Sequence, residues 1–166
     1  MYLKNPIEKK GFKNYIVYDL VGEKVKNPPL LRRYSDFYNL REKLKEYFPG
    51  IYIPNIPPKK IIGNKDSRLI MNRMRLLNSF CFKLSTIPYL FQSKLVQLFI
   101  NCQSDVSKEM DKMKKKSRKE IYLQYQLIFK DYYSSYDYII GKGKINEYQK
   151  FFQKILSKLK VNNILI

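Results

Sequence analysis

Histidine and tryptophan are absent from this chain of 166 residues, and cysteine occurs only twice. Without histidine the protein lacks the commonest general base and metal ligand. Cys81 and Cys102 are too few and too far apart for a zinc cluster. Catalysis, a resident metal and a cofactor are therefore not expected. Nor do two cysteines make a disulfide framework. Both lie in apolar, helix-like stretches, where free cysteine behaves as a small hydrophobe, so a reducing, cytoplasmic setting is expected. No run approaches the ~18 apolar residues of a membrane-spanning helix, and Met1 to Lys10 has no apolar signal-peptide core. Any membrane contact is expected to be peripheral. Acidic side chains are scarce as well: 14 stand against 33 Lys and Arg, a formal charge of +19.

That charge sets up a positive field that attracts polyanions, which leaves nucleic acid and anionic membrane as candidate partners. Both parts of the chain contribute, since residues 1–103 carry 19 basic and 7 acidic side chains and residues 104–166 carry 14 and 7. The length suits one domain, or one small domain with an extension, and suffices for a real hydrophobic core.

Along the chain, Lys13 to Val21 (KNYIVYDLV) alternates β-branched and aromatic residues and reads as a strand. After turn-like residues Gly22 to Asn27 and two prolines, LLRRY can pair back on it as a hairpin with a long loop. Ser35 is the expected N-cap of an amphipathic helix whose apolar residues Phe37, Leu40, Leu44 and Phe48 recur at three to four, with Asp36 in its first turn. Pro49 and Gly50 end it. IPNIPPKK, Ile53 to Lys60, should be an extended, pre-shaped loop. Asp66 and Ser67 can cap a second helix with the stripe Ile70, Met74, Leu77, Cys81 and Leu84, and a third begins near Ser93. Polar residues Gln103 to Lys108 mark a soft boundary. Beyond it the basic run Lys112 to Lys119 precedes helical segments at about Glu120 to Tyr133 and Asn146 to Lys160, separated by the Gly141 and Gly143 turn. The last has a wide apolar stripe, including Tyr148, Phe151, Phe152 and Ile155, that must pack on something.

A headgroup with several phosphates needs donors from different directions, and an Arg fork can hold two phosphate oxygens where a Lys supplies a point charge. Arg33 is the natural fork, and Tyr34 beside it can lie against the C–H face of a sugar ring. Read by alternation alone, Arg32 and Tyr34 instead point to one side and Arg33 to the other, with Tyr34 in the core and both arginines solvated.

The order of motifs decides between these. RRYSDF (Arg32 to Phe37), FPG (Phe48 to Gly50), IPPKKIIGN (Ile56 to Asn64), and Arg73 followed by Leu77 and Phe80 together resemble the phox-homology (PX) domain, the phosphoinositide-binding module of sorting nexins. The resemblance covers about Lys13 to Cys102. It implies an α+β fold, a small three-stranded antiparallel sheet packed on a helical subdomain, in residues 1–103, followed by a basic helical extension in residues 104–166. It further implies that Arg33 grips the 3-phosphate, Tyr34 packs under the inositol ring, Lys59 meets the 1-phosphate and Arg73 the ring hydroxyls opposite. Lys60 could replace Lys59, because adjacent residues of an extended loop point in opposite directions. Ile61 and Ile62, flanked by Lys59, Lys60 and Lys65, suit the apolar tip that this family inserts into the bilayer. Arg32 is read as a support or surface charge with additional lipid contact.

Two departures stand out. Only twelve residues precede Lys13, so the first strand of the fold must be truncated to Tyr2 and Leu3 or the amino end is incomplete, and Met71 and Asn72 stand where the family often has acidic residues.

The function implied is non-catalytic recruitment to endosomal membranes through phosphatidylinositol 3-phosphate, for trafficking or sorting, with the protein cytoplasmic and peripheral on those membranes. A protein-interaction scaffold with a degenerate lipid site, with partners bound through the carboxy-terminal helices, and a basic nucleic-acid binder using the fifteen Tyr and ten Phe are the alternatives. The latter is disfavoured because the aromatics fall mainly at core periods.

Overall fold

The computed structural model describes residues 1–11, 14–25, 29–59, 67–133, 148–155 and 157. They divide into two compact units, Met1–Lys115 and Lys116–Ile166.

The first unit begins with a strand that the sequence reading had cut short. β1 runs over Tyr2–Lys9 and pairs antiparallel with β2, Tyr15–Val21, along its whole length. Asn5 and Pro6 concealed it. The register slips between Lys4 and Pro6, where Asn5 takes a left-handed φ of 51° and forms a bulge. Pro6, which has no N–H to give, is tolerated on this edge strand. β3, Leu30–Arg33, pairs with β2 on the other side, giving the order β1-β2-β3. Leu3, Tyr18, Leu20 and Leu30 are buried on one face of this sheet.

Helix α1, Tyr34–Tyr47, follows β3 without a loop. Its N-cap is Arg33, not Ser35: the Asp36 carboxylate reaches back to accept the Arg33 backbone N–H at 2.9 Å, which closes the first turn two positions earlier than expected. Phe37, Leu40 and Leu44 are fully buried, and the helix ends at Phe48 before Pro49 and Gly50, the latter at φ 82°. The proline-rich segment that follows forms neither helix nor strand. Its shape is held from α1, since Arg41 Nε donates to the Pro54 carbonyl at 3.0 Å and the Tyr34 hydroxyl donates to the Pro57 carbonyl at 2.6 Å.

Helix α2, Ser67–Thr86, buries Leu77, Phe80, Cys81 and Leu84. Asp66, the other expected cap, lies outside the described residues. The Asn78 amide both accepts from the Leu3 N–H and donates to the Leu3 carbonyl, which fastens α2 to β1. A single turn, α3 (Pro88–Phe91), leads to α4, Lys94–Asn101, capped by Ser93 as its sequence suggests. Phe37 is the centre of the helical core, in edge-on contact with Phe99 (5.0 Å between ring centroids) and Phe80 (6.4 Å).

The polar stretch after Gln103 holds one more helix of this unit. α5, Val106–Asp111, buries Val106 and Met110 and packs against α1 and α4. Its polar residues serve as ties: Asn39 donates to Ser107 Oγ, Ser107 Oγ donates to Asp36 Oδ1, and Lys43 pairs with Asp111 at 3.1 Å. The Tyr47 hydroxyl donates to the Lys114 carbonyl just beyond.

In the second unit α6 spans Arg118–Tyr133. Ser117 and Glu120 form a capping box, each side chain accepting the other residue's backbone N–H, and the Ser117 hydroxyl and then its backbone N–H, both donating to the Glu120 carboxylate, hold that carboxyl below its usual range. Residues 148–155 are helical, and Phe152 meets Phe129 edge-on at 4.6 Å. The stripe thus finds a partner inside the unit through Phe152, while Leu127 is 65% and Phe151 57% exposed. The Gly141 and Gly143 turn lies outside the described residues.

Candidate functional site

Local chemistry places the first two site residues. Arg33 is at once the last residue of β3, paired with Val17, and the N-cap of α1, so the chain turns there from extended to helical. Its side chain leaves the sheet at the amino end of the helix, where backbone N–H groups and the helix dipole favour an anion. Asp36 orients it through a 3.3 Å bond to Nε, yet the side chain remains 49% exposed and available to a ligand. Tyr34, at the first helical position, is pinned by its hydroxyl to Pro57. Burial raises the Tyr34 pKa, with Arg73 opposing, so the group remains a neutral phenol.

Arg73 reaches the same place from α2. Its guanidinium lies over the Tyr34 ring, 4.8 Å from the centroid, a stacking worth about 0.5–2 kcal/mol. The side chain therefore points across the groove toward α1 and does not extend freely into solvent. Arg33, Tyr34 and Arg73 line one pocket of about 290 Å³, whose wall also includes Ser35, Tyr18, Ile16, Tyr15, Asn14 and Glu8. Tyr18, 1% exposed, sits at its floor; burial raises its pKa, Arg73 again opposing, and its hydroxyl has no hydrogen-bond partner among the described residues. Two guanidiniums, a helix amino terminus and a neutral aromatic ring are groups that can hold an anion against one apolar surface.

Lys59 is near this pocket but not in its lining. Its ammonium lies 4.9 Å from the centre of the Tyr38 ring, one turn along α1 from Tyr34. Lys60, Ile61 and Ile62, expected as further lipid contacts, lie outside the described residues.

Arg32 is where the sequence reading needs correction. It is a support, as one half of that reading had it, but at 3% exposed it is neither a surface charge nor open to lipid. Strand alternation turns Leu30 and Arg32 inward and Arg33 outward. Arg32 Nε and Nη2 donate to the Phe99 carbonyl at 3.0 and 2.7 Å, Nη2 to the Cys102 carbonyl at 2.5 Å, and Nη1 to the Leu31 carbonyl at 3.0 Å. The cation thus caps the carboxy end of α4, where orphan carbonyls and the negative end of the dipole converge. Burial lowers its pKa, with Asp36 and then Cys102 opposing.

Tyr18, Glu8 and Asn14 were not foreseen as site residues. Tyr18 carried a readable signal, a polar tip on the buried face of the clearest strand. Glu8 carried none, because β1 itself was read as truncated.

The family model of the PX domain matches residues 21–103. The chain belongs to the PX-domain family. Among curated relatives of this PX chain, sorting nexin MVP1 of Candida albicans is 38% identical over 113 residues, 63% of this chain, and sorting nexin-18 of Mus musculus is 33% identical over 112 residues, 67% of this chain. The matched segments make up only 15% and 18% of those proteins' own lengths. Among solved structures, the X-ray structure of a designed CISK-PX domain is 28% identical, covering 60% of this chain and 98% of that one at a TM-score of 0.49. The PX match includes Arg33, Tyr34, Lys59 and Arg73, and it ends at Gln103, before α5.

Proposed function

We propose that this PX chain is a phosphoinositide-binding module that brings its protein to endosomal membranes through phosphatidylinositol 3-phosphate, as part of trafficking or sorting. The observation that carries the reading is the convergence of Arg33 at the end of β3, Tyr34 at the start of α1 and Arg73 of α2 on one small pocket. A phosphate at the mouth of α1 would be held by the Arg33 fork and the free N–H groups of the first helical turn. The inositol ring would lie along Tyr34 with its hydroxyls toward Arg73, and Lys59 would meet the phosphate that joins ring to glycerol. Lys60, Ile61 and Ile62 follow in the chain and are proposed as the membrane-contacting tip. The module is a binding device and not an enzyme, with residues 1–103 as its body and residues 104–166 as a basic helical extension whose first helix, α5, packs on that body.

Flotation with liposomes tests this. Vesicles of phosphatidylcholine with phosphatidylinositol 3-phosphate should retain the full chain, and plain phosphatidylcholine should not. Arg33→Gln should lower retention at least about tenfold, equivalent to about 1.4 kcal/mol. Equal retention of the variant would remove the pocket assignment.

A further inference from the structure

The wall of the pocket that holds the two arginines also carries one acidic side chain. Glu8 is on it, and the Asn14 amide donates to Glu8 Oε1 at 3.0 Å, so the carboxylate is held at the closed end of the β1–β2 hairpin. The bulge at Asn5 is what puts it there. Before the bulge Leu3 pairs with Leu20 on the buried face; after it, Pro6 pairs with Tyr18, Ile7 with Val17 and Glu8 with Ile16. Tyr18 shares the face of Leu20, and Ile16, two residues on, shares it too. Glu8 therefore lies on the same sheet face as Leu3. An unbroken strand would have sent it to the other side, with Ile7 in its place.

Among the described residues, the pocket lining holds two guanidiniums and one carboxylate. Asp36 further offsets Arg33 from behind. Glu8 thus leaves the lining with a net charge of +1, short of one phosphate dianion and with nothing over for a second phosphate. An ionised carboxylate is an acceptor only, so it can take hydrogen bonds from sugar hydroxyls but must repel a second phosphate brought against it. The volume of about 290 Å³ is at the lower end for ligand pockets, room for one ring and its phosphate.

We propose that Glu8 is a specificity-determining residue, accepting hydroxyls of the ring and rejecting headgroups that carry a further ring phosphate. The inference rests on the reading of this pocket as a phosphoinositide site. It makes selectivity a property of the strand register as well as of the basic residues.

Calorimetric titration of the full chain with soluble short-chain phosphatidylinositol 3-phosphate, 3,4-bisphosphate and 3,5-bisphosphate provides the test. Wild type should bind the monophosphate at least about tenfold more tightly than the bisphosphates. Glu8→Gln should weaken the monophosphate about threefold and strengthen one or both bisphosphates about threefold, narrowing the ratio about tenfold. Glu8→Lys should narrow or invert it further. Opposite movement of two ligands is not what a merely destabilised fold produces, and circular dichroism melting confirms that the variants fold. An unchanged ratio in both variants, with monophosphate binding retained, overturns the role of Glu8 alone. Failure of wild type to bind any of the three overturns the pocket reading and this inference with it.

Discussion

Arg32 and Arg33 are adjacent and chemically identical, and the structure gives them opposite work, which a pair of substitutions can separate. Arg32→Met keeps an unbranched apolar stem of comparable reach and removes the four donated hydrogen bonds to Phe99, Cys102 and Leu31. The carbonyls of Phe99 and Cys102 then end α4 without a partner. A buried polar group left unsatisfied costs about 1–3 kcal/mol. Against this, the variant no longer desolvates a cation, which recovers part of the loss. The net expectation is a destabilisation of about 2–4 kcal/mol, or roughly 10 °C in melting temperature for a unit of this size. Arg33→Met removes one half-exposed contact to Asp36 and should cost under about 1 kcal/mol. Urea denaturation followed by circular dichroism measures both. In the liposome assay the order reverses: at a temperature where both variants are folded, Arg32→Met retains binding and Arg33→Met loses it. Arg32→Met within about 0.5 kcal/mol of wild type would show that the α4 cap is not what keeps a charge in the core.

Two further outcomes follow from single side chains. Burial pushes the Cys81 thiol up to about 12, whereas an unfolded thiol titrates near ~8.5, so below about pH 8 it is neutral in both states and its contribution is complete. As pH rises from ~8.5 toward 12 the unfolded state loses its proton first, and stability falls by up to about 1.4 kcal/mol per pH unit. The stability advantage of wild type over Cys81→Ala should therefore shrink across that window, and a pH-independent difference would contradict it. Tyr34→Phe keeps the ring under Arg73 but removes the 2.6 Å bond to Pro57. A loss of about 1 kcal/mol, with earlier proteolytic cleavage in the Pro54 to Lys59 segment, is expected; unchanged cleavage would mean that Arg41 alone holds the loop.

Much of the architecture was legible from local pattern. The alternation of Tyr15 to Val21, the three-to-four spacing of Phe37, Leu40 and Leu44, and the Ser93 cap all report backbone periods that neighbouring residues enforce. β1 was not legible in full, because Asn5 and Pro6 are residues that normally end a strand, and only pairing with β2 shows that they make a bulge inside one. α5 was hidden for a different reason. Six residues with two apolar side chains carry no periodic signal, and the helix exists because Val106 and Met110 find α1 and α4 already assembled.

At the site, the order of RRYSDF, the PPK segment and Arg73 sufficed to nominate Arg33, Tyr34, Lys59 and Arg73 and to suggest the fold, since these motifs are spaced along the chain itself. What sequence could not assign was direction. Whether Arg32 faces lipid or core depends on carbonyls 67 and 70 residues away. Whether Arg73 points into solvent or onto Tyr34 depends on α2 being fastened to β1 through Asn78 and Leu3. Whether Glu8 borders the pocket depends on one extra residue in the β1 ladder. The first two are contacts between segments distant in the chain and the third sets a hairpin's register against them; all are made only when strands and helices close on one another, and the folded structure alone decides them.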